Sequence, residues 1–429
     1  MKTFYQLLGN SLIAGVTTSF VWFALTFWIY IETQSVLATS YLAGIYLVAT
    51  ALSGFWFGSI VDHHRKKSAM AFSSAITLFF FIVGLLFFLV TPIEAFHVVE
   101  SWQLWTLALI LMTGVVFANI RNIALPTTVT ILVEENKRDR ANGLSGGMMG
   151  IVFSITSFAS GFTLAYGGMQ TVLIAAVIFT FLALFHLLFI SIPEKKIVHI
   201  DQQPKIDIKG TFKVIKQVPG LFSLLLFATI NNFLGGVFMS LMDAYGLTLM
   251  SVQSWGTLWG FLSMGFILGG LVVSKTGLGK NPLRTLMLGN VAMWIVAMFF
   301  TVQPWIALLA CGMFLWITLV PIVEAAEQTI IQKVVPRERQ GRVFGFGQSL
   351  EQAASPFTAF LIGPIAQYIF IPYMATGSGV DLIGDWYGVG PGRGIALVFT
   401  VTGTIGLIVT LLAMRTKQYT MLSKKYLEK

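Results

Sequence analysis

The segment Gly58-Ser59-Ile60-Val61-Asp62-His63-His64-Arg65-Lys66-Lys67-Ser68-Ala69-Met70 joins two apolar runs, at 37–61 and 68–91. Each run is long enough to cross the hydrocarbon layer as a helix, which takes about 20 residues. The connection is short and carries three consecutive basic side chains, Arg65, Lys66 and Lys67. Short basic loops stay on the cytoplasmic side of a membrane. The stretch therefore reads as two transmembrane helices joined at the cytoplasmic face.

Working outward from this pair gives further runs of the same kind. The full set is 7–31, 37–61, 68–91, 103–125, 142–166, 170–191, 220–245, 251–274, 283–302, 304–328, 343–371 and 394–414. The eleventh contains Pro356 and Pro364, with Pro372 at its end, and is expected to be broken. The first run is longer than the apolar core of a signal peptide and reads as an uncleaved helix. Composition agrees: 56% of the 429 residues are hydrophobic, 10% are charged, and the mean hydropathy is +0.81. Soluble domains carry about 25% charged residues. Lipid is the solvent that accepts such a surface, and in water it would aggregate. The expected fold class is an all-α membrane protein of twelve transmembrane helices.

Orientation can be tested on the basic residues. With the N-terminus cytoplasmic, Lys and Arg should fill alternate loops. In this sequence 25 of the 27 do so. They are Lys2; the 65–67 cluster; Lys137, Arg138 and Arg140; Lys195, Lys196, Lys205, Lys209, Lys213 and Lys216; Lys275, Lys280 and Arg284; Lys333, Arg337, Arg339 and Arg342; and Arg415, Lys417, Lys424, Lys425 and Lys429. The exceptions are Arg121, inside the fourth run, and Arg393, at the edge of the twelfth. Miscounting by one span would scramble the pattern. Both termini are expected in the cytoplasm, in a multi-pass protein of the cell membrane.

The longest cytoplasmic connection, 192–219, holds Pro193, Pro204, Pro219 and six lysines. It divides the chain into a six-helix bundle at 1–191 and a second at 220–429 with a short tail. Two related bundles are a layout of secondary transporters. The halves also rhyme: Val133–Arg140 and Val335–Arg342 are charged loops that each lead into a glycine-rich helix. The outer segment 374–392, rich in Gly and Pro, is expected to be an irregular loop.

Several function classes are excluded. The basic residues fall in short clusters between apolar runs, not in a phosphate-binding groove, so no nucleic-acid partner is expected. Cys311, the single cysteine, allows no disulfide within the chain and no cysteine metal site. His63, His64, His97, His186 and His199 give no ligand pair at helical spacing. No HExxH, phosphate-binding GxxxxGK[ST] or nucleophile elbow is present. Neither an enzyme, a metal site nor a cofactor is expected, and no loop is long enough for the soluble domain of a sensor.

The segment from Gly58 resembles the signature loop of the major facilitator superfamily, with a glycine four residues before an aspartate and then a basic cluster. Three further stretches resemble the drug:proton antiporter branch that includes macrolide-efflux proteins. They are Asn119–Pro126 followed by Arg140-Ala141-Asn142; Val335-Pro336 through Gly341-Arg342-Val343-Phe344; and Gly392–Leu397. The resemblance implies two pseudo-symmetric six-helix bundles and proton-driven export of a small amphipathic compound by a monomer. Lysophospholipid, siderophore or metabolite export would use the same fold. The chain departs from the pattern twice: His63 stands where an arginine usually follows the signature aspartate, and the Gly-Pro pair of the fifth span is absent.

Candidate residues follow from charge and depth. Gly58, Asp62, Arg65, Lys66 and Lys67 form the expected gating loop, because a carboxylate at a helix end can accept from the amides of another helix and latch the two. Ionisable groups inside a span are costly and are functional candidates by default. Arg121 needs a polar partner. Glu324 and Glu327, three residues apart, share one face of the tenth span, and two neighbouring carboxylates repel when both are charged. Asp243, Glu32 and Glu351 complete the proton-relay candidates. By the resemblance, the first, fourth, seventh and tenth spans line the cavity, which makes Trp22, Phe23, Asn119, Asn231, Asn232 and Trp316 substrate candidates. The small residues Gly143, Gly147, Gly150, Ser154, Ser157 and Gly161 on the fifth span suit close helix packing.

Overall fold

The computed structural model describes residues 2–33, 36–194 and 208–428. Residues 195–207, the middle of the expected linker with Lys195, Lys196 and Lys205, lie outside the described residues. Every regular element among those described is helical. The helices are α1 Lys2–Thr33, α2 Val36–His63, α3 Lys66–Val90, α4 Trp102–Leu132, α5 Arg138–Phe189, α6 Ile208–Gln217, α7 Leu221–Leu249 and α8 Val252–Leu262. There follow α9 Met264–Thr276, α10 Pro282–Phe299, α11 Ile306–Val334, α12 Gln340–Ile365, α13 Ile371–Ala375, α14 Ser378–Tyr387, α15 Pro391–Met414 and α16 Lys417–Leu427.

Among the described residues, ten helices are long and apolar enough to cross a membrane, or eleven with the bent pair Phe360–Ala375 and Ser378–Tyr387. The twelfth comes from α5, whose 52 residues are two spans meeting at Gly168. That residue has φ 65° and ψ −177°, a left-handed conformation that glycine alone adopts without a Cβ penalty. Ser263, with the ordinary helical dihedrals φ −60° and ψ −22°, lies between α8 and α9 within the eighth span.

Two expectations are corrected in the eleventh span and the segment after it. The helix runs on through Pro356 and Pro364, and its irregularity is a π turn at Ala366–Phe370. Pro372 then sits in the first turn of α13, where its missing N–H costs nothing. The segment 374–392 is not irregular throughout, because Ser378–Tyr387 forms α14, bent 74° from the preceding span. Its glycines work as boundaries. Gly388 and Gly390 take positive φ just beyond the helix, and buried Gly379 and Gly384 lie on the face that packs inward.

The chain forms two compact units. The first is Met1–Arg138, Ile151–Lys213 and Val335–Ser349; the second is Asp139–Gly150, Val214–Val334 and Leu350–Lys429. The first turns of α5 thus belong to the second unit, and the first turns of α12 to the first. The core of the first unit centres on Trp28, whose ring lies 5.2 Å from Phe96 and 5.8 Å from Phe88. In the second, Phe238 stacks on Phe399 at 4.9 Å and meets Trp316 edge-on at 4.6 Å. Each aromatic pair adds about 0.5–1.5 kcal/mol beyond its burial.

The glycines of α5 act as the spacing suggested. A Cβ on Gly147 would stand 3.2 Å from the Cα of Gly270 on α9, and one on Gly270 only 2.4 Å from the Cα of Gly147. The two backbones touch, as small-residue interfaces in membranes allow. Gly161 faces open space and takes no part.

Candidate functional site

In the first unit, the end of α2 meets the start of α12. Asp62 is buried, and its Oδ1 accepts from the amide of Gly341 at 2.7 Å while Oδ2 accepts from that of Arg342 at 2.8 Å. A carboxylate on the free amides of a first helical turn satisfies both hydrogen bonding and the helix dipole. The approach is possible because Gly58 has no side chain: a Cβ there would lie 2.5 Å from the carbonyl oxygen of Gly341. The basic cluster divides its work. Lys66 Nζ donates to the carbonyl of Val61 at 2.6 Å and Lys67 Nζ to that of Leu188 at 2.7 Å, whereas Arg65 is exposed. Glu194 caps α3 by accepting from the amides of Lys66 and Lys67.

The substitution at His63 has a local reason. Its Nδ1 lies 2.9 Å from the carbonyl of Ser59, which only accepts, so Nδ1 carries the proton. Nε2 is then free to accept from Arg342 Nη2 at 3.0 Å. An arginine at position 63 would set two guanidinium groups against each other.

Arg121, deep in α4, is buried among neutral partners. Nη1 donates to Ser74 Oγ at 2.7 Å, and Nη2 donates to Asn10 Oδ1. Asn10 in turn donates to the carbonyl of Ala183 at 2.7 Å, and its Nδ2 lies 3.2 Å from His186 Nδ1. Arg121 Nε is buried with no hydrogen-bond partner among the described residues. Asn119, two residues earlier, accepts from Asn122 at 3.0 Å, and its own Nδ2 has no hydrogen-bond partner among the described residues.

The second unit gathers the acids. Glu324 and Glu327 on α11 act electrostatically on each other, and Glu351 on α12 acts on both. Glu324 is exposed on the unit, and Glu327 and Glu351 are half-buried. Among the described residues no lysine or arginine pairs with any of the three. Two turns earlier on α11, Trp316 packs on Phe238 and keeps its buried Nε1 unpartnered among the described residues. Beside it Trp294 donates to Asn231 Oδ1 at 2.8 Å. The same unit therefore offers an aromatic wall with a spare donor and an uncompensated acidic group.

The other candidates stand apart. Glu32 pairs with His97 at 2.7 Å, tying the end of α1 to the turn before α4. Asp243 accepts from Trp255 Nε1 at 2.8 Å and joins α7 to α8. Asn232 donates to the carbonyl of Ala228 on its own helix at 3.1 Å. Trp22 packs against Tyr46 at 4.5 Å, and Phe23 meets Phe153 edge-on at 5.4 Å.

Sequence reasoning missed three polar contacts. Asn142 on α5 exchanges hydrogen bonds with Gln332 on α11 at 2.9 and 3.1 Å and donates to Thr329 at 2.8 Å. Asp139 Oδ2 accepts from the amide of Leu278 at 2.9 Å, between α9 and α10. Asn10, Ser74 and His186 assemble around Arg121. The available signal was a polar residue inside an apolar run, which needs a partner in a membrane.

The chain matches the model of the Major Facilitator Superfamily over residues 7–359. It is 21% identical over 397 residues to the macrolide efflux protein A of Streptococcus pyogenes, covering 89% of this chain and 93% of that protein. Among solved structures, a bacterial homologue of the iron transporter ferroportin in its outward-facing state superposes with a TM-score of 0.66 at 14% identity, over 97% of this chain and 100% of the other. The proton:xylose symporter XylE gives 0.65 at 12% identity, over 100% and 98%. The human organic anion transporter MFSD10 gives 0.60 at 12% identity, over 96% and 99%.

Proposed function

The chain belongs to the Major Facilitator Superfamily and is a multi-pass membrane transporter, not an enzyme; from this premise we propose that it exports small amphipathic compounds in exchange for protons. The observation that carries the reading is the group Glu324, Glu327 and Glu351, three interacting carboxylates without a cationic partner among the described residues. Such a group is expensive inside a membrane protein unless it binds something. Protons and an amine-bearing substrate both relieve the repulsion, so each displaces the other. That competition is the coupling an antiporter requires.

The aromatic wall of Trp316, Phe238 and Trp294 supports an apolar substrate body, since drug-sized sites are mostly apolar with few polar groups. The likeness to macrolide efflux protein A supports a drug-like cargo. Alternating access would rock an N-terminal bundle, 1–191, against a C-terminal one, 220–429, with 192–219 as the linker between them. Both termini would lie in the cytoplasm of a monomer in the cell membrane. The Asp62 contact would then latch α2 to α12 in one state of the cycle, and the cavity candidates Trp22, Phe23, Asn119, Asn231 and Asn232 would line the path.

The test is a proton assay in inverted vesicles. Macrolides and lipophilic cations are added, and a pH dye reports protons released by the parent and by Glu324→Gln, Glu327→Gln and Glu351→Gln. A substrate-dependent signal in the parent that is lost in the glutamine variants supports the exchange. Folded, oriented protein that gives no signal with any compound overturns drug:proton antiport, and a lipid or metabolite cargo takes its place.

A further inference from the structure

The proposed proton exchange makes no use of His186, yet the hydrogen bonding of this residue is determined by its neighbours. A guanidinium only donates and a backbone carbonyl only accepts. Asn10 therefore has to turn its Oδ1 to Arg121 and its Nδ2 to the carbonyl of Ala183. The amide orientation leaves no choice. The second Nδ2 hydrogen then points at His186 Nδ1, 3.2 Å away. For this contact to be a hydrogen bond, Nδ1 must accept and the imidazole proton must sit on Nε2. The tautomer is opposite to that of His63, which gives its Nδ1 proton to Ser59.

We propose that His186 is a positioning residue for Arg121, acting through Asn10, and that it does so only as the neutral Nε2–H imidazole. A protonated ring carries N–H at both nitrogens and cannot accept. It would face the Asn10 amide donor to donor. Either the ring leaves, or the amide turns over and presents its NH2 to the guanidinium. In the second case Arg121 keeps Ser74 alone, because its Nε is already unpartnered among the described residues. The state of one exposed imidazole thus sets how many acceptors the buried cation has.

The chain of bonds runs His186 on α5, Asn10 on α1, Arg121 on α4 and Ser74 on α3, so it ties four helices of the first unit. His186 lies one turn from the end of α5, which reaches Phe189. The charged groups around it are Arg121 beyond Asn10; Lys67 on α3, bonded to the carbonyl of Leu188; and Glu194, which caps α3. Lys2 and Tyr5 are exposed near the start of α1.

The functional consequence rests on Arg121, a functional candidate by its charge and depth in the span, serving the proposed transport; the tautomer does not. Two measurements keep these apart. Long-range 1H–15N NMR on protein labelled with 15N-histidine reads the tautomers, and His186→Gln assigns the signal by its disappearance. At neutral pH the His186 ring should show an unprotonated Nδ1; an Nδ1–H tautomer overturns the inference whatever transport shows. Transport is then compared for three variants. Gln can accept from Asn10, so His186→Gln should retain parental activity within about twofold. His186→Leu removes the acceptor and His186→Arg offers only donors; both should lose on the order of tenfold. Equal losses in Gln and Leu overturn the positioning role. Unchanged activity in all three, with the Nε2–H tautomer confirmed, overturns the transport role of Arg121 instead.

Discussion

Asn142 and Gln332 exchange both of their amide hydrogen bonds in a buried contact between the first turns of α5 and the end of α11. Thr329, one turn before Gln332, accepts the remaining Asn142 hydrogen. Breaking one side strands the other amide away from water, which costs about 1–3 kcal/mol. Asn142→Ala and Gln332→Ala should each lower the unfolding free energy by about that amount. The double variant should cost clearly less than the two losses together, because it leaves no orphan. Denaturant unfolding in detergent measures all three, and strict additivity would dismiss the contact.

Much of this fold was readable beforehand. Length and apolarity placed the spans, and the alternation of Lys and Arg fixed their parity. The joint between the fifth and sixth spans was readable, since the runs 142–166 and 170–191 leave Gly168 in the gap between them; which glycine there takes positive φ was not, because nothing local marks it. Helix α14 was missed because Gly377, Gly388 and Gly390 make its surroundings look like coil. The site was legible by type more than by partner. Asp62 was expected at a helix end, and the structure supplies the amides of Gly341 and Arg342. Glu324 and Glu327 were paired by spacing on one helix. Glu351 joins them through tertiary structure, which a helical period cannot show. The neutral partners of Arg121 come from two other helices, and no spacing rule links Asn10 to position 121.

The Asp62 contact depends on charge and on the bare backbone at Gly58. Asp62→Asn keeps the shape but replaces two acceptor oxygens by one and removes the charge. Charge-assisted bonds contribute about 1.5–3 kcal/mol, so the variant should weaken the contact by a comparable amount. Gly58→Val should do as much without touching charge, because its Cβ would enter the carbonyl of Gly341. Cysteine-crosslinking yield between positions 55 and 346, whose rings lie 5.6 Å apart, reads the approach of the two helices. Both variants should lower it, while Arg65→Gln, an exposed change, should leave it intact.

Arg393 should tolerate little change, for a structural reason. Its Nε donates to the carbonyl of Tyr387 at 2.6 Å, and Nη1 donates to Tyr245 Oη at 3.1 Å. Nη2 donates to the carbonyls of Thr301 at 2.9 Å and Val302 at 2.6 Å. The guanidinium also lies 4.5 Å over the Tyr387 ring. Arg393→Lys keeps the charge but has no planar fork to span these acceptors. Hydrogen exchange across 378–390 should rise at least about tenfold, as expected when roughly 1.4 kcal/mol of local stability is lost. Unchanged exchange there would mean that α14 is held by packing alone.

The acidic group of α11 and α12 should show the opposite sign, in that function and stability part company. Glu324, Glu327 and Glu351 repel one another and have no cation among the described residues. Replacing one carboxylate by its isosteric amide removes a repelling charge and adds a donor that its neighbours can accept. Glu327→Gln, in the middle of the interactions, should therefore raise the thermal midpoint in detergent, by an amount equivalent to about 1 kcal/mol. The same substitution should abolish substrate-driven proton release. A functional site carries such strain because binding relieves it, whereas a structural site would have been built with a partner. The gain should also shrink when a saturating cationic substrate is present, since the substrate then supplies the missing charge to the parent and less of it to the variant. A variant both less stable and inactive would indicate that Glu327 holds the helices together, and would move the coupling role elsewhere in the protein.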